Sequence, residues 1–115
     1  VLISELAART GSTTRALRHY DRAGLLPSRR SVNRYRDFPE EAVERVRRIR
    51  LLLNVGLNLE DVERLLPCFV EDGSLAPCSV AQQRLTTQIH AIDVAMAQLC
   101  ATKRMLADTL AQMRR

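Results

Sequence analysis

Apolar residues recur along the chain mostly with a helical step. Ile3, Leu6 and Ala7 share one face of a short first run, Ile3-Ser4-Glu5-Leu6-Ala7-Ala8-Arg9. Gly11 can supply a left-handed corner after it, and Ser12 or Thr13 can cap a second run, Thr14 to Arg22, that stops near Gly24. Two short helices across a tight glycine turn predict a helix-turn-helix. The polar stretch from Ser28 to Arg36 has no helical period. Its alternation at Val32, Arg34 and Arg36 and its Ser/Asn content predict a small β-hairpin, or wing. Pro39 opens a third helix where its missing N–H does no harm, with Glu40 and Glu41 in the first turn and an apolar stripe of Val43, Val46, Ile49 and Leu53. Gly56 ends it. Asn58, with Asp61 three residues on, starts a fourth helix around Leu59, Val62, Leu65 and Leu66, and Pro67 closes the domain.

Asp72-Gly73-Ser74 and Pro77 mark residues 68–78 as an irregular connection. Beyond it the period changes. Leu85, Ile89, Ile92, Met96, Leu99, Lys103, Leu106, Leu110 and Met113 step alternately by four and three, and all but Lys103 are apolar. That narrow stripe is a coiled-coil seam, and one helix cannot bury it alone. The simplest partner is another copy, with Lys103 as the polar position that fixes register.

Charge sharpens the picture when the chain is split. Residues 1–50 hold 12 arginines against 6 acids, whereas residues 51–115 hold 6 basic and 7 acidic residues, so the whole net charge of +5 sits in the first half. Arginine outnumbers lysine 17 to 1, and its planar fork suits phosphate oxygens and guanine edges. The N-terminal half is composed to meet a polyanion. Aromatics are scarce (Tyr20, Tyr35, Phe38 and Phe69, with no Trp), which disfavours a base-stacking single-strand binder.

The length suits about one domain, the longest apolar runs are too short to span a bilayer, and no basic-then-apolar leader is expected. The chain begins at Val1 rather than Met, so a few residues are expected to be trimmed there. Three cysteines without a CxxC pair point to a reducing cytoplasm rather than a disulfide-built fold. No paired catalytic carboxylates, Ser/His/Asp set, phosphate-cradling glycine loop or metal-spaced histidines are present, so no enzyme and no cofactor is expected.

The chain resembles the MerR family of bacterial transcriptional regulators over nearly its full length. The resemblance rests on Ile3-Ser4-Glu5-Leu6-Ala7 with Thr10-Gly11, and on the run Ala16-Leu17-Arg18-His19-Tyr20-Asp21-Arg22-Ala23-Gly24-Leu25-Leu26. Asn33-Arg34-Tyr35-Arg36-Asp37-Phe38 and Val55-Gly56-Leu57-Asn58-Leu59-Glu60-Asp61-Val62 extend it. Two positions depart from many members, which have Tyr at the place of His19 and Gly at that of Arg34. The implied architecture is mainly α: a winged helix-turn-helix over 1–38, a helix pair over 39–67, a connecting loop over 68–78, and a dimerisation helix over 79–115 forming an antiparallel coiled coil. The resemblance also implies a homodimer on a pseudo-palindromic promoter. Such a dimer activates or represses by distorting the spacer, and so acts on RNA polymerase indirectly through the DNA, with no membrane involved.

A helix-turn-helix lays its second helix in the major groove with its first turns nearest the base edges. That nominates Thr13, Thr14 and Arg15 for bases or nearby phosphates, and Arg18, His19 and Tyr20 for the backbone. In the wing, Arg29, Arg30, Asn33, Arg34, Tyr35 and Arg36 can grip phosphates, although Tyr35 can equally staple the hairpin to the domain. The dimer seam is assigned to Leu85, Ile89, Ile92, Met96, Leu99, Leu106, Leu110 and Met113.

Metal-sensing relatives carry a cysteine where Cys78 stands, but also a cysteine-bearing loop beyond the long helix, where this sequence ends at Arg115. Cys68 and Cys78 are therefore weak metal or disulfide candidates, while Cys100, beside Leu99, is read as packing and His90, beside Ile89, as a dimer-surface residue. Leu65, Leu66, Phe69 and Val70 either line a small apolar pocket or simply pack. The rival readings are a DNA-bending architectural factor with a related winged fold and a protein-interaction adaptor. The heptads from Leu85 to Met113 oppose the first, and the arginine-rich helix and wing oppose the second.

Overall fold

The computed structural model describes residues 1–27, 29, 30, 36–70 and 74–115, with backbone only at Arg29, Arg30 and Arg36. In chain order its elements are α1 (Ile3–Thr10), α2 (Thr14–Arg22), β1 (Arg29–Arg30), β2 (Arg36–Asp37), α3 (Glu41–Asn54), α4 (Leu59–Leu65), a 3₁₀ turn (Leu66–Cys68) and α5 (Ser79–Met113). The fold is mainly helical. The chain divides into two units, Val1–Ala76 and Pro77–Arg115.

The first unit begins with the two helices and their glycine corner. Gly11 caps α1 at φ 71° and donates its N–H to the Ala7 carbonyl at 2.9 Å. Thr13 then caps α2, its hydroxyl oxygen accepting from the Ala16 N–H at 3.0 Å. Arg50, reaching across from α3, donates to the Thr10 carbonyl and so serves the open end of α1. A Cβ on Gly11 would stand 3.1 Å from the Arg50 guanidinium. Gly11→Ala therefore meets both a left-handed backbone and a crowded cation, and should lower the unfolding free energy by about 1 kcal/mol or more. Chemical denaturation of the two proteins measures it.

β1 and β2 pair antiparallel, Arg29 opposite Asp37 and Arg30 opposite Arg36, which is the base of the expected wing. Its turn, with Asn33, Arg34 and Tyr35, lies outside the described residues. The wing is tied to the start of the chain by a Leu2–Asp37 bridge and by the Phe38 N–H, which donates to the Val1 carbonyl at 2.8 Å. Because Phe38 is still held to Val1, the chain turns at Pro39–Glu40 before helical bonding begins. Helix α3 thus starts two residues after the proline expected to open it, entered by tight bonds from Ala42 to Pro39 and from Val43 to Glu40.

Its buried stripe is Ala42, Val43, Val46, Ile49 and Leu52. Leu52, not the expected Leu53, continues it, since steps of three from Val46 keep the core face. Asn58 opens α4 with a full capping box: its Oδ1 accepts from Asp61 N–H at 2.8 Å while Asp61 Oδ2 accepts from Asn58 N–H at 3.2 Å. A cap of this kind stabilises by about 1 kcal/mol. α1 packs on α2 and α3, and α4 on α3, around Leu6, Leu17, Phe38, Val46, Ile49, Leu52, Val62 and Leu65.

Residues 69–78, within the expected irregular connection, carry no helix or extended strand among the described residues, and those up to Ala76 group with this unit. Phe69 bridges Leu75, Val70 N–H donates to the Ser74 carbonyl at 2.9 Å, and Ala76 N–H donates to the Cys68 carbonyl at 2.8 Å. Paired backbone groups, rather than a loop left to water, hold the chain here. Arg48 adds to the hold, donating to the Val70 carbonyl at 3.1 Å and lying 5.2 Å from the centre of the Phe69 ring.

The second unit is α5, 35 residues and thus roughly 50 Å long. Most of its side chains are exposed, including Leu99 at 70% and Ile89 at 61%. Among the described residues, no helix is long and apolar enough to cross a membrane.

Candidate nucleic-acid interface

Helix α2 has two faces set by its period. Leu17 and Tyr20, three apart, point into the core, while Arg15, Arg18, His19 and Arg22 are exposed. Thr13, Arg15, Ala16, His19 and Arg22 line an open groove of about 430 Å³. Three of the residues singled out from sequence, Thr13, Arg15 and His19, meet there. Thr14 is half-buried and Arg18 is exposed, but neither lines the groove. Tyr20 departs from expectation: at 7% exposure it is a core residue, placed one helical turn from Leu17. Ala16 and Arg22 were not singled out. The spacing Arg15–His19–Arg22 carried the signal for Arg22, because steps of four and three keep one face.

The arginines also sort by partner. Arg9 grips Glu40 through two 2.9 Å bonds, and this hydrogen-bonded guanidinium holds the Glu40 carboxyl below the usual carboxylate range, outweighing partial desolvation. The same pair raises Arg9. Arg45 donates to the Leu25 carbonyl at 3.0 Å, and Arg48 and Arg50 serve the carbonyls of Val70 and Thr10. Arg47 faces Glu44 at 3.6 Å, and Arg64 faces Glu60 at 3.3 Å. Among the described residues, Arg15, Arg18 and Arg22 have no carboxylate partner. Among the described side chains, much of the N-terminal positive charge is therefore structural, and the arginines without a carboxylate partner are gathered on α2.

The N-terminal turn of α2 adds to this face. The Thr13 hydroxyl, after accepting from the Ala16 N–H, keeps a donor at the helix N-terminus, where the helix dipole favours an anion. The short Ala16 side chain lets the helix backbone come close to a partner between the longer Arg15 and His19. The combination suits a phosphate-lined groove whose floor presents base edges.

No disulfide joins Cys68, Cys78 or Cys100, and among the described residues no three His, Cys, Asp or Glu side chains gather to hold a metal ion. Leu65 and Leu66 are core residues and the Phe69 ring is covered by Arg48, which supports packing at these positions; Val70 is exposed. His90 is exposed on α5.

Residues 2–67 match the family model for the MerR HTH family regulatory protein, and residues 43–109 match that for MerR, DNA binding. The chain is 40% identical over 65 residues to nodulation protein NolA of Bradyrhizobium sp. (strain NC92), covering 56% of this chain but only 27% of that protein. It spans less than a third of the nodulation protein's length. It is 30% identical over 107 residues to the mercuric resistance operon regulatory protein of Bacillus cereus, covering 92% of this chain and 80% of that one. Among solved structures, the transcription regulator PbrR691 from Ralstonia metallidurans CH34, in complex with lead(II), superposes with a TM-score of 0.74 at 25% identity. The match covers 94% of this chain and 84% of that one.

Proposed function

From a chain that belongs to the MerR family of helix-turn-helix regulatory proteins, we propose a transcriptional regulator that binds double-stranded promoter DNA as a homodimer in the cytoplasm. Helix α2 enters the major groove, with Thr13, Arg15 and His19, joined by Ala16 and Arg22, turned to base edges and flanking phosphates. Arg18 holds the backbone further along, and Arg29, Arg30, Asn33, Arg34, Tyr35 and Arg36 of the wing grip phosphates beside it. Two copies joined through α5 demand a two-fold operator. Their effect on RNA polymerase passes through the DNA, by bending and untwisting the promoter spacer, with the deformation offset by contacts that bent DNA permits.

The observation that supports this most is the α2 groove, where cations without carboxylate partners meet a capped helix N-terminus. The test is binding of the purified protein to a library of duplex DNA at several salt concentrations. Enrichment of an inverted repeat is expected. With about six phosphates neutralised, log K should fall against log salt with a slope of about −5. Absence of binding at low salt would overturn the reading, and binding indifferent to sequence would leave an architectural factor as the better one.

A further inference from the structure

We propose that a second copy closes the α5 seam in one antiparallel register, set by an ion pair between Lys103 of one subunit and Asp93 of the partner subunit. This rests on the homodimer proposed above. In heptad terms the seam has Ile89, Met96, Lys103 and Leu110 at one core position, a, and Leu85, Ile92, Leu99, Leu106 and Met113 at the other, d. Apart from half-buried Leu85 these side chains are exposed, Met96 at 58% and Leu106 at 66%.

In a parallel pair, equivalent a positions face each other, which would set Lys103 against its own copy in an apolar seam. An antiparallel pair instead layers each a residue on a d residue of the other helix, separating the two lysines. Two antiparallel registers each stack eight of the nine seam positions. One sets Lys103 level with Leu99 of the partner subunit, and the other sets it level with Ile92 of the partner subunit.

The flanking residues decide between them. In an antiparallel pair the a and e positions of both helices lie on the same side of the interface. The e positions within the seam are Thr86, Asp93, Cys100 and Ala107, and the g positions are Gln88, Ala95, Thr102 and Thr109, so Asp93 is the acid among them. The first register brings Lys103 beside Cys100 of the partner subunit. The second brings it beside Asp93 of the partner subunit, offset by one residue, about 1.5 Å along the axis.

Both groups are available for this. No lysine or arginine stands three or four residues from Asp93, and no acid stands three or four from Lys103. Neither makes an ion pair within the chain among the described residues. The two-fold axis forms the pair twice. Lys103 can lay its stem along the partner's Ile92 and keep its ammonium at the rim.

The test measures the dimer dissociation constant of the full chain by sedimentation, at low salt, for the wild type, Lys103→Asp, Asp93→Lys and the double exchange. Each single variant places like charges together twice per dimer and should weaken it about tenfold; the double exchange should return within about twofold of the wild type. Both sites of change are on an exposed helix, and an unchanged circular dichroism spectrum keeps the comparison clean. Equal constants for all four proteins would overturn the pair. A double exchange that shows only the sum of the two single effects would overturn the register, since the exchanged charges would then not meet. A wild type that is monomeric at every concentration would sink the homodimer itself, an outcome distinct from both.

Discussion

Leu99→Glu is expected to turn the dimer into monomers while leaving the first unit intact. Leu99 is 70% exposed in the single chain, so the new carboxylate enters no part of the chain's own core. In the proposed seam it enters twice, once per subunit, and taking carboxylates out of water into an apolar seam costs several kcal/mol, more than a pair with Lys103 four residues on returns. The dimer dissociation constant should rise by at least about a thousandfold. Operator affinity should fall with it, by on the order of a hundredfold, because one half-site no longer holds the second at high effective concentration. Sedimentation and DNA titration read the two effects. His90→Glu, outside the seam on the same helix, should leave both nearly unchanged.

Two arginines in the basic half of the chain should behave in opposite ways. Arg15→Ala removes an exposed guanidinium with no carboxylate partner from the α2 groove. Operator affinity should fall by about tenfold to a hundredfold per half-site, with relaxed preference at one base position, and thermal stability should hold. Arg48→Ala removes the donor to the Val70 carbonyl and the cover over Phe69. It should lower stability by about 1–2 kcal/mol and leave the salt slope of DNA binding unaltered. If Arg48→Ala flattened the salt slope as well, the division of the arginines into structural and DNA-facing groups would be wrong.

That division shows where sequence reading stops. Composition counts charge, and it weighs Arg45, Arg48 and Arg50 the same as Arg15. Only the fold reveals that the first three reach backbone carbonyls that lie 20 to 40 residues away in the chain. Local chemistry was far more legible. The Gly11 corner, the Thr13 cap and the Asn58–Asp61 box depend on residues three or four apart, and their side chains leave few alternatives.

What depended on tertiary context was less so. The start of α3 moved past Pro39 because Phe38 is held by Val1, far away in sequence. The backbone bonds after Pro67 involve no distinctive side-chain pattern, so residues 68–76 read as a loop. Tyr20 was misassigned for a different reason. It sits among the cationic residues of α2, and its helical phase, one turn from Leu17, was the better guide than its polar neighbours.

The bond from Arg50 to Thr10 has a consequence for anyone who recombines such regulators. The carbonyl end of the first helix is completed by a residue forty positions later, and the wing leans on the chain's opening residues. A graft cut after the wing would carry α2 but leave its supporting scaffold behind. The transferable cassette is residues 1–76, and a chimera that keeps the proposed dimer helix separate from the proposed DNA-binding unit should be spliced between Ala76 and Pro77.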